Sequence, residues 1–321
     1  MSSPSFVEPQ LATLVDEPVE GEHWIFERKL DGIRLIVVRD GESVRLWTRN
    51  QLDRASTYPE LCDALLSLPT DRFVADAEVV AFEGSTTSFA RLQQRSGLTD
   101  PDEARGSGVA VRLYLFDLLH LDGRDLRELP LRERKSILHD AIDFDDPIRF
   151  CRHRNGGGSE LLDDACRRGW EGLIAKRADR PYRSGRSRDW LKLKCVARQE
   201  FVIGGFTEPK GSRNGIGAIL IGVHDPSAGT LRYAGRVGTG FDSDERDRLR
   251  SVLERRTRST APFDEPPTGG GDVHWVTPDL VCEVGFTEWT SHGKLRHPRY
   301  VGMRHDKDAN EVVRERAVAA S

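Results

Sequence analysis

The sequence predicts an α+β protein in two domains, a larger one of antiparallel sheets with flanking helices and a smaller C-terminal β-barrel. Three observations lead there. The first two thirds alternates strand-like with helix-like segments, and after Lys194 the pattern changes to short strands punctuated by glycine. The third is size: 321 residues, 37% of them hydrophobic, suffice for two cores at roughly 100 to 200 residues per domain.

Residues 33 to 38 and 44 to 48 flank an Asp40-Gly41 turn and read as a hairpin. Leu61, Ala64, Leu65 and Leu68 then recur at helical spacing just after Pro59. Residues 73 to 82 and 109 to 119 are almost continuously apolar, as central strands covered on both faces should be. Ser159 is the expected N-cap of a helix carrying Leu161, Leu162, Ala165 and Cys166, with Gly169 as its stop, and 172 to 176 reads as the next strand. Beyond it come strands at 201 to 206, 218 to 223, 231 to 237 and 280 to 289. A helix capped by Asp242, with Glu245 three residues on and Leu249, Val252 and Leu253 on one face, interrupts them. Residues 257 to 272 are rich in Pro and Gly and read as an exposed loop, and the glycine-rich 211 to 217 as a hairpin turn. The boundary falls near 195 to 199, giving domains 1–196 and 197–321.

The net charge is −4, with a pI near 6.2 and a mean hydropathy of −0.52. No apolar run approaches the roughly 18 residues of a spanning helix. The N-terminus has neither a basic nor an apolar signal region, so a cytoplasmic protein is expected. Five scattered cysteines, never spaced as CxxC, argue for reduced thiols and against a disulfide framework or a structural zinc. One stretch departs from the overall acidity: between Lys176 and Arg198 nine basic residues face two acids, a local charge of +7. Such a cluster is either a solvated face or a surface for phosphates.

The chemistry centres on ERKLDGIR, where Lys29 precedes a strand, Asp31-Gly32 makes a tight turn and Arg34 enters the strand. Taken alone this is an exposed turn lysine. It is followed in order by WTRN (47–50), DAEVV (76–80), YLFDLLHLDG (114–123), EGLIAK (171–176), WLKLK (190–194) and RHDK (304–307). In this order the segments resemble the motif series of the covalent nucleotidyltransferases, most closely the ATP-dependent DNA ligases. Within that family, YRSGRSRDWLKLK, FVIGGFTEPKGSRNGIGAILIGV and FTEWTSHGKLRHPRYVGMRHDK look like the ligase domain of bacterial end-joining polymerase-ligase proteins. The resemblance covers almost the whole chain and implies an adenylation domain followed by an OB-fold. At 321 residues the chain is expected to be a two-domain ligase core, with no room for the polymerase and phosphoesterase domains fused to it in the end-joining proteins.

The residue types suit that chemistry. A lysine amine can carry AMP as a covalent intermediate, and in-line displacement at phosphorus relies on positioning and charge neutralisation. Lys29 is the expected nucleophile, its pKa lowered by desolvation and by nearby cations, Arg28 and the motif lysines among them. The resemblance implies that Glu27 lies at the adenine edge, that Phe116 stacks on the adenine, and that Arg34, Arg49 and Glu78 hold the ribose and neighbouring groups. On a bland reading Phe116 is simply core. Arg186, Lys192 and Lys194 are expected at the α-phosphate, since alternate strand residues share a face. Glu78 and Glu171 are the candidate carboxylates for Mg²⁺, with Mn²⁺ as the alternative ion. Arg304 and Lys307, with Asp306, should meet the pyrophosphate in a closed state that needs a hinge near 194 to 199. Family patterns usually have glycine where this chain has Ala77.

The absence of GxxxxGK[ST] excludes a P-loop, and the absence of a four-cysteine site favours ATP over NAD. The expected partners are nicked double-stranded DNA and end-joining repair proteins, for a monomeric, bacterial, nucleoid-associated ligase. The alternatives are an RNA ligase or capping-type enzyme, or a non-catalytic nucleic-acid-binding relative.

Overall fold

The computed structural model describes residues 4–195, 198–209, 215–267 and 272–315. These form two compact units, Met1–Cys195 and Val196–Glu315. Among the described residues no helix is long and apolar enough to cross a membrane.

The first unit is built on two sheets. One runs Gln10–Leu14, Gly185–Lys194, Gly172–Arg177, Trp24–Arg28, His153–Asn155. The other follows the path Ser43–Trp47, Ile33–Asp40, Arg72–Glu83, Val111–Leu121, Arg124–Asp125. Most pairings are antiparallel, as expected. Gln10–Leu14 joins Gly185–Lys194 in parallel, and Ile148–Phe150 joins Val111–Leu121 in parallel. Arg72–Glu83 and Val111–Leu121 are central and almost wholly buried, which explains their unbroken apolar runs.

Two apolar clusters locate the working cleft. Ile36, Val38, Val74 and Phe116 of one sheet pack with Trp190 of the other and with Tyr182, so this cluster joins the sheets. Phe26, Leu173, Leu191 and Leu193 pack on the opposite face of the five-stranded sheet, against Val15 and Ala165. Each fully buried aliphatic side chain is worth roughly 1.5–3 kcal/mol.

Two expectations change here. The helix Gly158–Arg167 starts at Gly157, not at Ser159, which sits inside the first turn. The Glu20 carboxylate accepts from the backbone N–H groups of Gly158 and Ser159 and from the Ser159 hydroxyl, so a distant acid does the capping. The cysteines are not all reduced: Cys166 and Cys195 form a disulfide, with Cα atoms 5.2 Å apart, and Cys62, Cys151 and Cys282 are free. A separation of 29 residues hid this pair, because only the pairing of Gly172–Arg177 with Gly185–Lys194 returns the chain to the end of that helix.

The second unit curls a six-stranded antiparallel sheet around one core, in the order Thr230–Val237, Ala218–Asp225, Arg198–Thr207, Val273–Gly285, Thr257–Arg258, with Arg299–Met303 also pairing to Val273–Gly285. Helix Ser243–Glu254 lies between the third and fourth long strands, as an OB-fold requires, and the Asp242 side chain accepts from the Glu245 N–H. The strand expected at 280 to 289 is instead Val273–Gly285, with Glu288–Trp289 in a separate hairpin. The expected loop at 257 to 272 contains the strand Thr257–Arg258 and buried Phe263. Its residues 268–271, positions 211–214 of the expected turn and 196–197 of the expected hinge lie outside the described residues.

Candidate active site

Lys29 follows the last residue of Trp24–Arg28, and its backbone N–H donates to the Gly172 carbonyl at 2.9 Å. Strand register decides what shares its face. Glu27 stands opposite Ile174, Ile174 opposite Lys192, and Gly172 opposite Lys194. Alternation therefore puts Glu27, Lys29, Lys192 and Lys194 on one face, and Arg28, Leu173 and Leu193 on the other. Two glycines are required by close approach. A Cβ on Gly32 would lie 2.2 Å from the Val79 carbonyl oxygen, and one on Gly172 would lie 1.9 Å from that of Leu193.

The Lys29 ammonium donates to Glu171 Oε1 at 2.6 Å. Burial alone would lower its pKa, but Glu171, and behind it Asp31 and Glu78, outweigh burial and raise it above the ordinary lysine value. This reverses the expectation of a lowered pKa: the neighbours that reach the amine are carboxylates, and Arg28 lies on the far face. The ion pair with Glu171 therefore favours the ammonium form.

Glu27 is only 3% exposed and accepts from Lys135 at 2.6 Å and Lys176 at 2.7 Å. Burial would raise its pKa, yet the two ammoniums hold the carboxyl below its usual range. Lys176 is pulled down by burial and by Lys135, although Glu27 opposes this. Its Nζ sits 4.1 Å from the Phe116 ring centre and 4.0 Å from that of Trp190. Phe116 is thus buried as the bland reading holds, and it also forms a wall of a charged pocket.

The Arg34 guanidinium closes on both oxygens of Asp76, donates to the Gln10 carbonyl at 2.6 Å, and lies 5.4 Å from the ring centres of Phe116 and Trp190. The Tyr182 hydroxyl donates to Asp76 at 2.6 Å. Glu78 stands opposite Arg34 in register and close enough to Lys29 to act on its charge. Arg49 is half-buried in the turn after Ser43–Trp47. Arg186 is exposed and donates to the Ala12 carbonyl at 2.6 Å. Lys192 and Lys194 are half-buried, while Leu191 and Leu193 face the core as expected. The basic stretch is therefore not one solvated strip, because Lys176 is 2% exposed and paired.

Within the second unit, Arg304 closes on Asp306 and donates to Glu283 at 2.9 Å. Lys307 pairs with Glu200 at 3.3 Å and is the more exposed of the two, at 26% against 11%.

The motif reading missed Asp31, Asp76, Lys135, Lys176 and Tyr182 as parts of this network. A signal for Lys135 exists in helix Leu131–Ala141. Its buried stripe is Leu131, Arg134, Lys135, Leu138, an apolar spacing with two cations in it, and Arg134 meets buried Asp117. Charges at core positions announce internal partners.

Among the described residues no group of three or more His, Cys, Asp or Glu side chains is arranged to enclose a metal ion. Glu78 and Glu171 are hard oxygen donors, Glu171 in contact with the Lys29 amine and Glu78 near enough to act on its charge. They fit a magnesium ion that keeps its waters and shares substrate phosphates, not a protein-built cage.

A lysine amine held by a carboxylate thus shares a strand face with two further lysines, beside the Phe116 and Trp190 rings. Residues 9–194 match the ATP dependent DNA ligase domain, and residues 212–307 the ATP dependent DNA ligase C terminal region. The chain belongs to the ATP-dependent DNA ligase family. It is 42% identical over 320 residues to the multifunctional non-homologous end joining protein LigD of Pseudomonas aeruginosa, covering 98% of this chain and 37% of that one. It is 36% identical over 302 residues to the LigD of Mycobacterium tuberculosis, a multifunctional non-homologous end joining DNA repair protein, covering 92% and 38%. The chain thus spans under two fifths of these curated relatives. Among solved structures it resembles a mycobacterial DNA ligase D complexed with ATP and MES, at 34% identity and a TM-score of 0.69, covering 96% of this chain and 98% of that one.

Proposed function

We propose that this chain seals 5′-phosphate/3′-hydroxyl nicks in double-stranded DNA at the expense of ATP, in bacterial end joining or nick repair. The observation that carries this is the Lys29 amine, fixed at a strand end 2.6 Å from Glu171 in a chain that matches the ligase family along its length.

Lys29 Nζ attacks the α-phosphorus of ATP; an N–P bond forms, the bond to the β-phosphate oxygen breaks, and pyrophosphate leaves. Glu171 Oε1 is the acceptor within reach of the proton that Nζ must lose. The AMP then passes to the DNA 5′-phosphate as the N–P bond breaks, and the 3′-hydroxyl displaces AMP to close the strand. Glu27, kept anionic by Lys135 and Lys176, presents an acceptor at the adenine edge, and Phe116 supplies the stacking face. Arg34, Arg49 and Glu78 line the sugar side, while Lys192, Lys194 and Arg186 neutralise the α-phosphate. A magnesium ion held by Glu78 and Glu171 would supply charge neutralisation on the phosphates. The first unit, about 1–196, acts as the adenylation domain and the second, about 197–321, as the OB-fold domain. Lys307 contacts pyrophosphate, while Arg304, already gripped by Asp306, positions that loop.

Incubation with α-labelled ATP and Mg²⁺ labels the protein at Lys29, and Lys29→Ala removes the label. Sealing is then compared with ATP, GTP and NAD on nicked DNA and RNA. Labelling of Lys29→Ala at the parent's level overturns the nucleophile, and sealing confined to RNA overturns the substrate.

A further inference from the structure

A second basic site lies outside the adenylylation cleft. A cavity of about 570 Å³ opens at the edge of the five-stranded sheet, lined by Arg28, Arg112, Arg149, Arg152, Arg154 and Arg168, with Asp164 the one lining acid. Arg112 and Arg149 share Asp146, and Arg168 pairs with Asp164. Among the described residues, Arg28, Arg152 and Arg154 have no carboxylate within ion-pair distance.

Arg28 is the telling residue. Its Nε and Nη2 are shut off from water and have no hydrogen-bond acceptor, as is His153 Nδ1 on the same cavity wall. This edge of the guanidinium is the fork that grips an oxyanion with two parallel bonds. In the same molecule, Arg34 closes it on Asp76, Arg134 on Asp117, Arg177 on Asp179 and Arg304 on Asp306. Two guanidinium nitrogens without an acceptor cost stability, and they belong to a half-buried arginine that lines this cavity. The arginines hold the aromatic wall themselves: Arg28 and Arg168 lie 4.7 and 5.6 Å from the Trp170 ring centre. The cavity therefore offers guanidinium groups. Arg152 and Arg154 are exposed, Arg154 on the edge strand His153–Asn155 and Arg152 just before it.

We propose that this cavity binds a phosphate group, separate from the ATP phosphates at Lys29, supplied by a backbone phosphate of the polynucleotide or by a free polyphosphate. The first source rests on the reading of DNA as substrate.

The test measures the affinity of a fluorescent nicked duplex over a salt series, and of inorganic tripolyphosphate by calorimetry. The proteins are the full chain, Arg152→Gln/Arg154→Gln, Arg28→Gln and Arg28→Lys. The expected result for the exposed double variant is an affinity for the duplex about tenfold weaker and a log–log salt slope shallower by about two. Arg28→Gln weakens binding further and Arg28→Lys does not restore it, because an ammonium lacks the fork. AMP labelling from ATP alone stays at the parent's level in each, since these residues face away from Lys29. Loss confined to the duplex supports the backbone source, and loss of tripolyphosphate binding the free source. Parent-like affinities and slopes in the exposed double variant, which removes no buried group, overturn the proposal. A parent that takes no AMP label while these affinities still fall overturns the ligase reading and leaves the phosphate site standing.

Discussion

Both units have apolar cores, but they differ in how much charge they bury beside them. The core of the second unit gathers Phe201, Ile203, Phe206, Ile219, Ile221, Leu249 and Val284, all essentially without exposed surface. The cleft wall of the first unit buries Glu27, Asp76, Asp117, Arg134, Lys135 and Lys176 to a similar depth. An apolar core gains stability from every group it removes from water, whereas buried ion pairs at best break even against apolar residues of the same size. What the first unit gains from its charges is placement: two lysines fix one carboxylate and one aspartate fixes Arg34, all against Phe116 and Trp190.

That contrast can be broken most forcefully by making the first core resemble the second. Replacing the whole trio, Glu27→Leu with Lys135→Leu and Lys176→Met, should leave urea stability unchanged or higher while AMP labelling falls by at least about a thousandfold. Equal losses of stability and labelling would show the trio to be mere scaffolding. Glu27→Leu alone strands two buried ammoniums and should cost about 3–5 kcal/mol in the same titration. Ile203→Ala in the second unit should cost about 2–5 kcal/mol by leaving a cavity, with no change in labelling from ATP corrected for folded protein.

Smaller effects sharpen the picture. Because Glu171 raises the Lys29 pKa and burial lowers it, Glu171→Gln should make the amine at least about tenfold more reactive toward an amine-selective reagent at pH 8. Unchanged reactivity would mean that the ion pair does not hold the proton. The Glu27 pKa is lowered on folding, so its contribution is present above the unfolded value of about 4.3 and is lost as pH falls below it. Stability should therefore decline more steeply from pH 5 downward in the parent than in the trio variant, in paired urea titrations.

Legibility in the sequence followed the same divide. The second unit's helix and first three long strands were readable because apolar spacing maps directly onto an apolar core. Phe263 escaped because a buried aromatic in a Pro-rich stretch has no periodicity to betray it. In the first unit the motif residues stood out by type and order, and Lys29, Lys192 and Lys194 do share a face. The partners that set their charge states did not stand out: Lys135 arrives from a helix more than a hundred residues away from Glu27, and Asp76 looked like one more strand residue. The sign of the Lys29 shift was misread for the same reason, since counting cations near it in sequence says nothing about which charges reach it in space. The Cys166–Cys195 bond was invisible until strand pairing closed the distance.

The clasp between Lys29 and Glu171 also bears on the chain's life between turnovers. A free, deprotonated lysine at the lip of a pocket would be an easy target for aldehydes, cyanate and activated esters. Held as a salt it is far less nucleophilic, so the lysine proposed to carry the nucleotide is guarded against such reagents.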